Sequence, residues 1–244
     1  MTESDGADPH HPGHDRAEVV AANLEVVRRR ISAAATDSGR SASDITLVVV
    51  TKTYPGDDVK LLADLGATDV GENRLSELLD KGPIAHDLGL RVHAVGRIQA
   101  NKAARLAQAA DVIHSVDRIE LVARLDRGRQ QLGLDPVPVL LQVSLDGDPD
   151  RGGVLPESIV PLAEAVAAAP GLVLSGVMAV APLGADPDAA FSHLAAVAET
   201  VRKVRPAATW ISAGMSGDLE TAIRHGATHV RVGAAVLGSR SGVR

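Results

Sequence analysis

The chain has 244 residues, 45% of them hydrophobic and 1% aromatic, with a formal net charge of −6. It contains no cysteine, which excludes disulfides, thiolate nucleophiles and Cys-ligated zinc. Its cations form no stripe of the kind nucleic acid requires, and no apolar run approaches the roughly 18 residues of a membrane span.

Residues 1–15 are polar, rich in acids, Pro and Gly, and read as a disordered tail ahead of one domain over 16–244. The tail lacks a basic stretch followed by an apolar one, so it is not a secretory signal, and the expected location is the cytoplasm. His10, His11 and His14 fall in it, a weak basis for a metal site. A helix follows over 17–37, with Val20, Leu24, Val27 and Ile31 at helical spacing. Next comes an apolar run from Ile45 to Val50 that ends at Lys52. A strand so uniformly apolar is buried on both faces, as in a parallel sheet covered by helices.

From there the pattern alternates. Helices are predicted over 57–65, 72–80, 100–109, 118–132, 156–168, 187–204 and 218–225. Between them lie strands over 69–71, 91–95, 112–115, 138–143, 172–177, 209–212 and 229–232. Eight strands separated by helices imply right-handed crossovers and a single α/β domain, a (β/α)₈ TIM barrel. An open doubly wound sheet is the alternative, although it usually has fewer strands. The helix ahead of the first strand is an addition expected to plug the barrel bottom.

Barrels place their ligands beyond the carboxyl ends of the strands, so the residues there carry the functional argument. Lys52 is one of five lysines in a chain with twenty arginines. A chain that otherwise prefers Arg has kept an amine where Schiff-base chemistry would need one, because guanidinium cannot form an imine. The plainer alternative is a lysine snorkelling to solvent from a strand end. After strand seven, Ser212-Ala213-Gly214-Met215-Ser216-Gly217-Asp218 offers hydroxyls and unhindered amides ahead of a helix. After strand eight, Arg231-Val232-Gly233-Ala234 is a second Gly-containing turn. These two loops are where barrels frequently bind phosphate, and helix starts attract anions. Ordinary helix capping, with Ser216 as N-cap, is the competing explanation. A strand-end lysine opposite a phosphate site suggests either a Schiff-base aldolase acting on a sugar phosphate or pyridoxal phosphate held as an imine. The loop 146–152 has carboxylates at EF-hand spacing, but Arg151 stands where that loop requires Gly, so it reads as a solvated turn.

In order along the chain stand Val49-Val50-Thr51-Lys52-Thr53, Gly71-Glu72-Asn73, His93 to Lys102, Ile113 to Asp117, Ser212 to Leu219 and Val230 to Ala234. Together these blocks closely resemble the pyridoxal phosphate homeostasis proteins, the YggS/PROSC family, whose fold is that of the alanine racemase N-terminal domain. The resemblance covers 17–240. It implies that Lys52 forms a Schiff base with pyridoxal 5'-phosphate (PLP). It implies that Ser216 holds the phosphate together with backbone N–H groups near Gly233 and Ala234, within a cradle that includes Ser212. It places Arg231 opposite the pyridine nitrogen, Asn73 near the ring, and Met178 and Met215 in the pocket lining. Ala234 departs from the usual Thr, Ala213 from a frequent Met and Leu237 from a common Phe, which weakens single contacts only. A permanently charged Arg231 would disfavour protonation of the ring and so carbanion chemistry through it. Tyr54, the only tyrosine, is expected to point away from the opposite ring face. The resemblance therefore implies a cofactor carrier in vitamin B6 homeostasis with no turnover. Its partners would be PLP and apo PLP-dependent enzymes, with no nucleic acid or membrane partner and a monomeric state. A PLP-dependent amino-acid racemase remains the alternative. His93 and His114 are left open between proton transfer and packing, and Glu72 is expected to pair with a cation such as Arg74 or Arg97.

Overall fold

β-branched and leucine-rich runs become short buried strands, and amphipathic runs become the helices that cover them. The computed structural model describes residues 12–238. In chain order the elements are α1 (Pro12–Asp37), β1 (Thr46–Val50), α2 (Gly56–Asp64), β2 (Asp69–Glu72), α3 (Leu75–Asp87), β3 (Arg91–Ala94), α4 (Ala103–Ala109), β4 (Val112–Val116) and α5 (Ile119–Gln131). They continue with β5 (Val137–Gln142), α6 (Ile159–Ala167), β6 (Leu172–Met178), α7 (Pro187–Val204), β7 (Trp210–Ser212), α8 (Leu219–Arg224), β8 (His229–Val232) and α9 (Ala234–Leu237). The strands pair in parallel in sequence order, and β1 closes on β8 through pairs such as Leu47 with Val230. This is the (β/α)₈ barrel that the alternation implies. With so few aromatics, the core is filled by aliphatic side chains such as Leu62, Leu78, Ile113, Leu140 and Leu162.

Three expectations change. The leading helix does not plug the barrel bottom. Among the described residues β8 is followed by the single turn of α9, and α1 takes the place of the outer helix that a full eighth unit would provide. Its buried face of Val20, Leu24, Val27 and Ile31 packs inward. Its polar side chains reach α2 through Arg16–Asp58, α8 through Arg30–Glu220, and α9 through Asn23 Nδ2, which donates to the Val236 carbonyl. The helix also begins at Pro12, so residues 12–15 of the expected tail belong to it, while 1–11 lie outside the described residues. His10 and His11 fall among those, and the His14 side chain is likewise outside the description. Finally, α3 starts three residues after Glu72, which ends β2, and runs through Gly82 and Pro83 to Asp87. A Lys-Gly-Pro sequence normally stops a helix. Here Pro83 is exposed, and burial of Leu78, Lys81 and Ala85 on the inner face offsets the lost backbone hydrogen bond.

Candidate functional site

A cavity of about 570 Å³ opens at the carboxyl ends of the strands, within the usual range for small-molecule sites. It brings together Lys52, Asn73, Met215, Ser216, Arg231, Gly233 and Ala234, with Tyr54 and the strand-end valines Val50, Val95 and Val180 as further walls. Two of the expected site residues are not in its lining. Met178 is the last residue of β6, 2% exposed, and packs with Val112, Leu140 and Trp210. Ser212 is the last residue of β7 and fully buried, with its hydroxyl turned inward to His114 and Arg231 rather than toward a ligand. The valines carry a signal that the sequence reading passed over: they stand at or just past the carboxyl ends of strands one, three and six.

Lys52 sits in a tight turn closed by the Tyr54 amide donating to the Thr51 carbonyl at 3.0 Å. Thr53 takes a left-handed φ of 68°, rare for a β-branched residue. Charged side chains hold this turn. The Thr53 amide donates to Glu77, and the Lys81 ammonium donates to the carbonyls of Thr51 (2.7 Å) and Tyr54 (3.1 Å). Lys81 also pairs with Glu72 at 2.6 Å, and the Thr51 hydroxyl donates to the same carboxylate oxygen at 2.5 Å. Glu72 therefore pairs with neither Arg74 nor Arg97. Both partners are nearly sealed, and burial pushes the Glu72 carboxyl up to about 7 against the lowering pull of Lys81 and Thr51. Its other oxygen is buried without a hydrogen bond. Lys81 is the important residue that the sequence reading missed. By contrast, the Lys52 ammonium makes no hydrogen bond or ion pair among the described residues. Tyr54 spends its hydroxyl on the Gly238 carbonyl at 2.6 Å, and the Arg16 guanidinium lies 5.8 Å from its ring.

Across the cavity, the Ser216 loop is held from below. The Arg30 guanidinium donates to the Ser216 carbonyl at 2.9 Å and to Glu220. The capping explanation for Ser216 does not hold. Asp218 is the N-cap residue and takes the Met215 amide at 2.6 Å, while the Ser216 hydroxyl has no partner among the described residues. At Gly233 a Cβ would stand 3.1 Å from the Val50 carbonyl, so a side chain there would crowd the wall. Helices α8 and α9 both start at this rim, and the opening amides of a helix have no acceptor within it.

Arg231 forms the floor. It is 5% exposed and meets no carboxylate among the described residues. Its guanidinium donates to the Ser212 hydroxyl (2.6 Å) and the Ala179 carbonyl (3.0 Å). Burial lowers its pKa to about 10, so it stays a cation at neutral pH. Beneath it, His114 and His93 are buried and bonded to each other, and His93 is bonded to Asp69. A cavity with a free amine, a free hydroxyl beside two helix starts and a guanidinium with no carboxylate paired to it among the described residues suits an anionic carbonyl compound.

A family model described as the N-terminal domain of alanine racemase matches residues 20–241. The pyridoxal phosphate homeostasis protein of Mycobacterium tuberculosis is 41% identical over an alignment that covers 93% of this chain and 95% of the relative. The chain belongs to the pyridoxal phosphate homeostasis protein family. The structure of another protein, PipY of Synechococcus elongatus with PLP bound, superposes with a TM-score of 0.76 at 30% identity, covering 90% of this chain and all of that one. Alanine racemase of Corynebacterium glutamicum, at 17% identity and a TM-score of 0.69, shares the fold over 93% of this chain and 64% of its own. The homeostasis-protein family thus accounts for the barrel, and the geometry above shows which residues of this member face its cavity.

Proposed function

We propose that this protein holds PLP as a Schiff base on Lys52 and serves vitamin B6 homeostasis, without turning over a substrate. The observation that carries this reading is the unpartnered Lys52 ammonium facing, across one cavity, an unpartnered Ser216 hydroxyl. When bound, PLP supplies an aldehyde; the amine adds to it and water leaves, giving the imine. Ser216 and the opening amides of α8 and α9 hold the phosphate. Asn73 and Met215 border the ring, and Arg231 contributes a fixed cation that disfavours protonation of the pyridine nitrogen. Met178 and Ser212 support the site from behind rather than touching the ligand.

A racemase needs a second base on the far face of the ring. Of the described residues lining the cavity, only Lys52, Tyr54 and Arg231 titrate. The Tyr54 hydroxyl is committed to Gly238, and Arg231 stays charged. The reading extends to a cytoplasmic monomer whose cavity, open at the barrel mouth, lets the cofactor pass to apo-enzymes. Titrating PLP into the purified protein tests the core of it. A visible imine band is expected for the native chain and none for Lys52→Ala, with the same fold by circular dichroism. An unchanged band in the variant, or a colourless native protein trapped covalently by a keto sugar phosphate, would refute the reading. Incubation with either enantiomer of alanine is expected to leave it unracemised, as followed by chiral chromatography.

A further inference from the structure

A single file of hydrogen bonds crosses the barrel interior from the cavity floor to the opposite end. It runs from Arg231 Nη1 to Ser212 Oγ (2.6 Å), to His114 Nδ1 (2.9 Å), from His114 Nε2 to His93 Nδ1 (2.8 Å), and from His93 Nε2 to Asp69 Oδ1 (2.8 Å). Every member is 5% exposed or less. Asp69 opens β2 at the far end, where Arg91, half in solvent, pairs with it at 2.8 Å and the Thr68 hydroxyl donates to it.

The chemistry of the two ends fixes the direction of the protons. A guanidinium only donates and a carboxylate only accepts. If His93 gives its Nε2–H to Asp69 and is neutral, its Nδ1 accepts from His114 Nε2–H. His114 Nδ1 then accepts the Ser212 hydroxyl proton, and the Ser212 lone pairs remain for Arg231. Every hydrogen that lies between two members of the file then has an acceptor. If His93 is instead an imidazolium, the direction reverses. His114 Nδ1–H and Arg231 both then donate to Ser212, whose own hydrogen is left without an acceptor in a fully buried place. An unmade hydrogen bond there costs about 1–3 kcal/mol.

We infer that Asp69, His93, His114 and Ser212 are positioning residues that act on the cavity through Arg231: the carboxylate at one end of the barrel polarises a neutral, one-directional relay that fixes the guanidinium at the other. Neutral histidines matter because each added charge so close would repel Arg231. Two further titratable groups act on the file: His229, with ring centroids 6.1 Å from His114 and 6.3 Å from His93, bonds to Thr228 rather than joining it, and the Asp218 charge acts on Arg231 without a hydrogen bond to it. Because the file ends behind Arg231, its consequence for a ligand rests on the PLP reading, but its proton arrangement belongs to the chain alone.

The experiment has two arms. In the first, nitrogen-15 NMR of the histidine rings is recorded on the native protein without PLP at pH 7. His93 and His114 are both expected as neutral Nε2–H tautomers. An Nδ1–H tautomer or an imidazolium at His93 would overturn the inference whether or not PLP binds. In the second arm, PLP affinity and the imine band are compared among Ser212→Ala, Ser212→Thr and Asp69→Asn. Ser212→Ala is expected to weaken PLP by about tenfold or more, Ser212→Thr to recover most of that, and Asp69→Asn to change both the tautomer pattern and the band. Folded Ser212→Ala that binds PLP as tightly as the native chain with an unchanged band would overturn it. Absence of PLP binding in the native protein would remove the cofactor reading and leave the tautomer result to decide the relay.

Discussion

Lys81→Met is expected to destabilise the protein by about 3–5 kcal/mol at pH 8, the usual cost of removing one partner of a buried ion pair. The ammonium is 4% exposed and joins two backbone carbonyls of the Lys52 turn to the Glu72 carboxylate. Without it Glu72 must either stay charged in a nearly dry site or take up a proton. The deficit relative to the native chain is therefore expected to shrink at pH 5, where Glu72, whose pKa burial pushes up to about 7, is neutral in both proteins. Adding Glu72→Gln to Lys81→Met is expected to restore part of the loss at pH 8, because Gln keeps the bond to Thr51 without a charge. Urea unfolding of the native chain, Lys81→Met, Glu72→Gln and the double variant at pH 8 and pH 5 measures this. A loss below about 1 kcal/mol, or one independent of pH, would contradict the role given to the pair.

The second large effect is acid destabilisation. Burial holds His114 well below the usual histidine range and His229 at about 3. In the unfolded chain both return to about 6.5. The folded state thus binds fewer protons, so stability is full above pH 6.5 and is lost as pH falls below it. Between pH 7 and 5 His229 contributes a loss of about 2 kcal/mol, and His114 adds to it in the same direction. Glu72 works the other way: its folded pKa lies above the unfolded value, and over the same interval it returns about 2 kcal/mol. The His229 and Glu72 contributions roughly cancel, so the net loss on acidification is the one that His114 adds. Asp69 adds nothing until lower pH. Burial works to raise its pKa, but hydrogen bonds from His93 and Thr68 and the charge of Arg91 outweigh that and hold it at about 2. Its contribution is present above the unfolded value and lost only as pH falls toward 2. His229→Gln is expected to remove about 2 kcal/mol of the acid loss; chemical denaturation at pH 7 and pH 5 tests this, and an equally acid-sensitive variant would contradict it.

The regular alternation of apolar strands with amphipathic helices was enough to read the barrel, and the closed sheet follows it strand for strand. Lys52, the Ser216 loop and the Arg231 turn were legible because strand ends in a barrel point to a known place and their residue types are chemically distinctive. Met178 and Ser212 face the barrel interior but lie one layer beneath the cavity lining, a difference in depth that residue type and strand position do not encode. Lys81 was hidden because Lys81-Gly82-Pro83 imitates a helix stop, and only packing against the barrel overrides that local signal. The His93–His114–Ser212 file had no sequence signature at all. Its members meet across the barrel from positions 21 and 98 apart, a contact that no local periodicity encodes. Likewise, nothing local showed that α1 would take the place of an outer helix, because that vacancy exists only once β8 has closed on β1.

The most direct measurement is hydride trapping followed by peptide mass mapping. The native protein is loaded with PLP, reduced with borohydride, digested, and searched for the added pyridoxyl phosphate mass. The adduct is expected on Lys52 alone among the five lysines, with Lys81 unmodified because its ammonium is sealed against Glu72. An adduct on another lysine with Lys52 free, or no adduct under saturating PLP, would contradict the account.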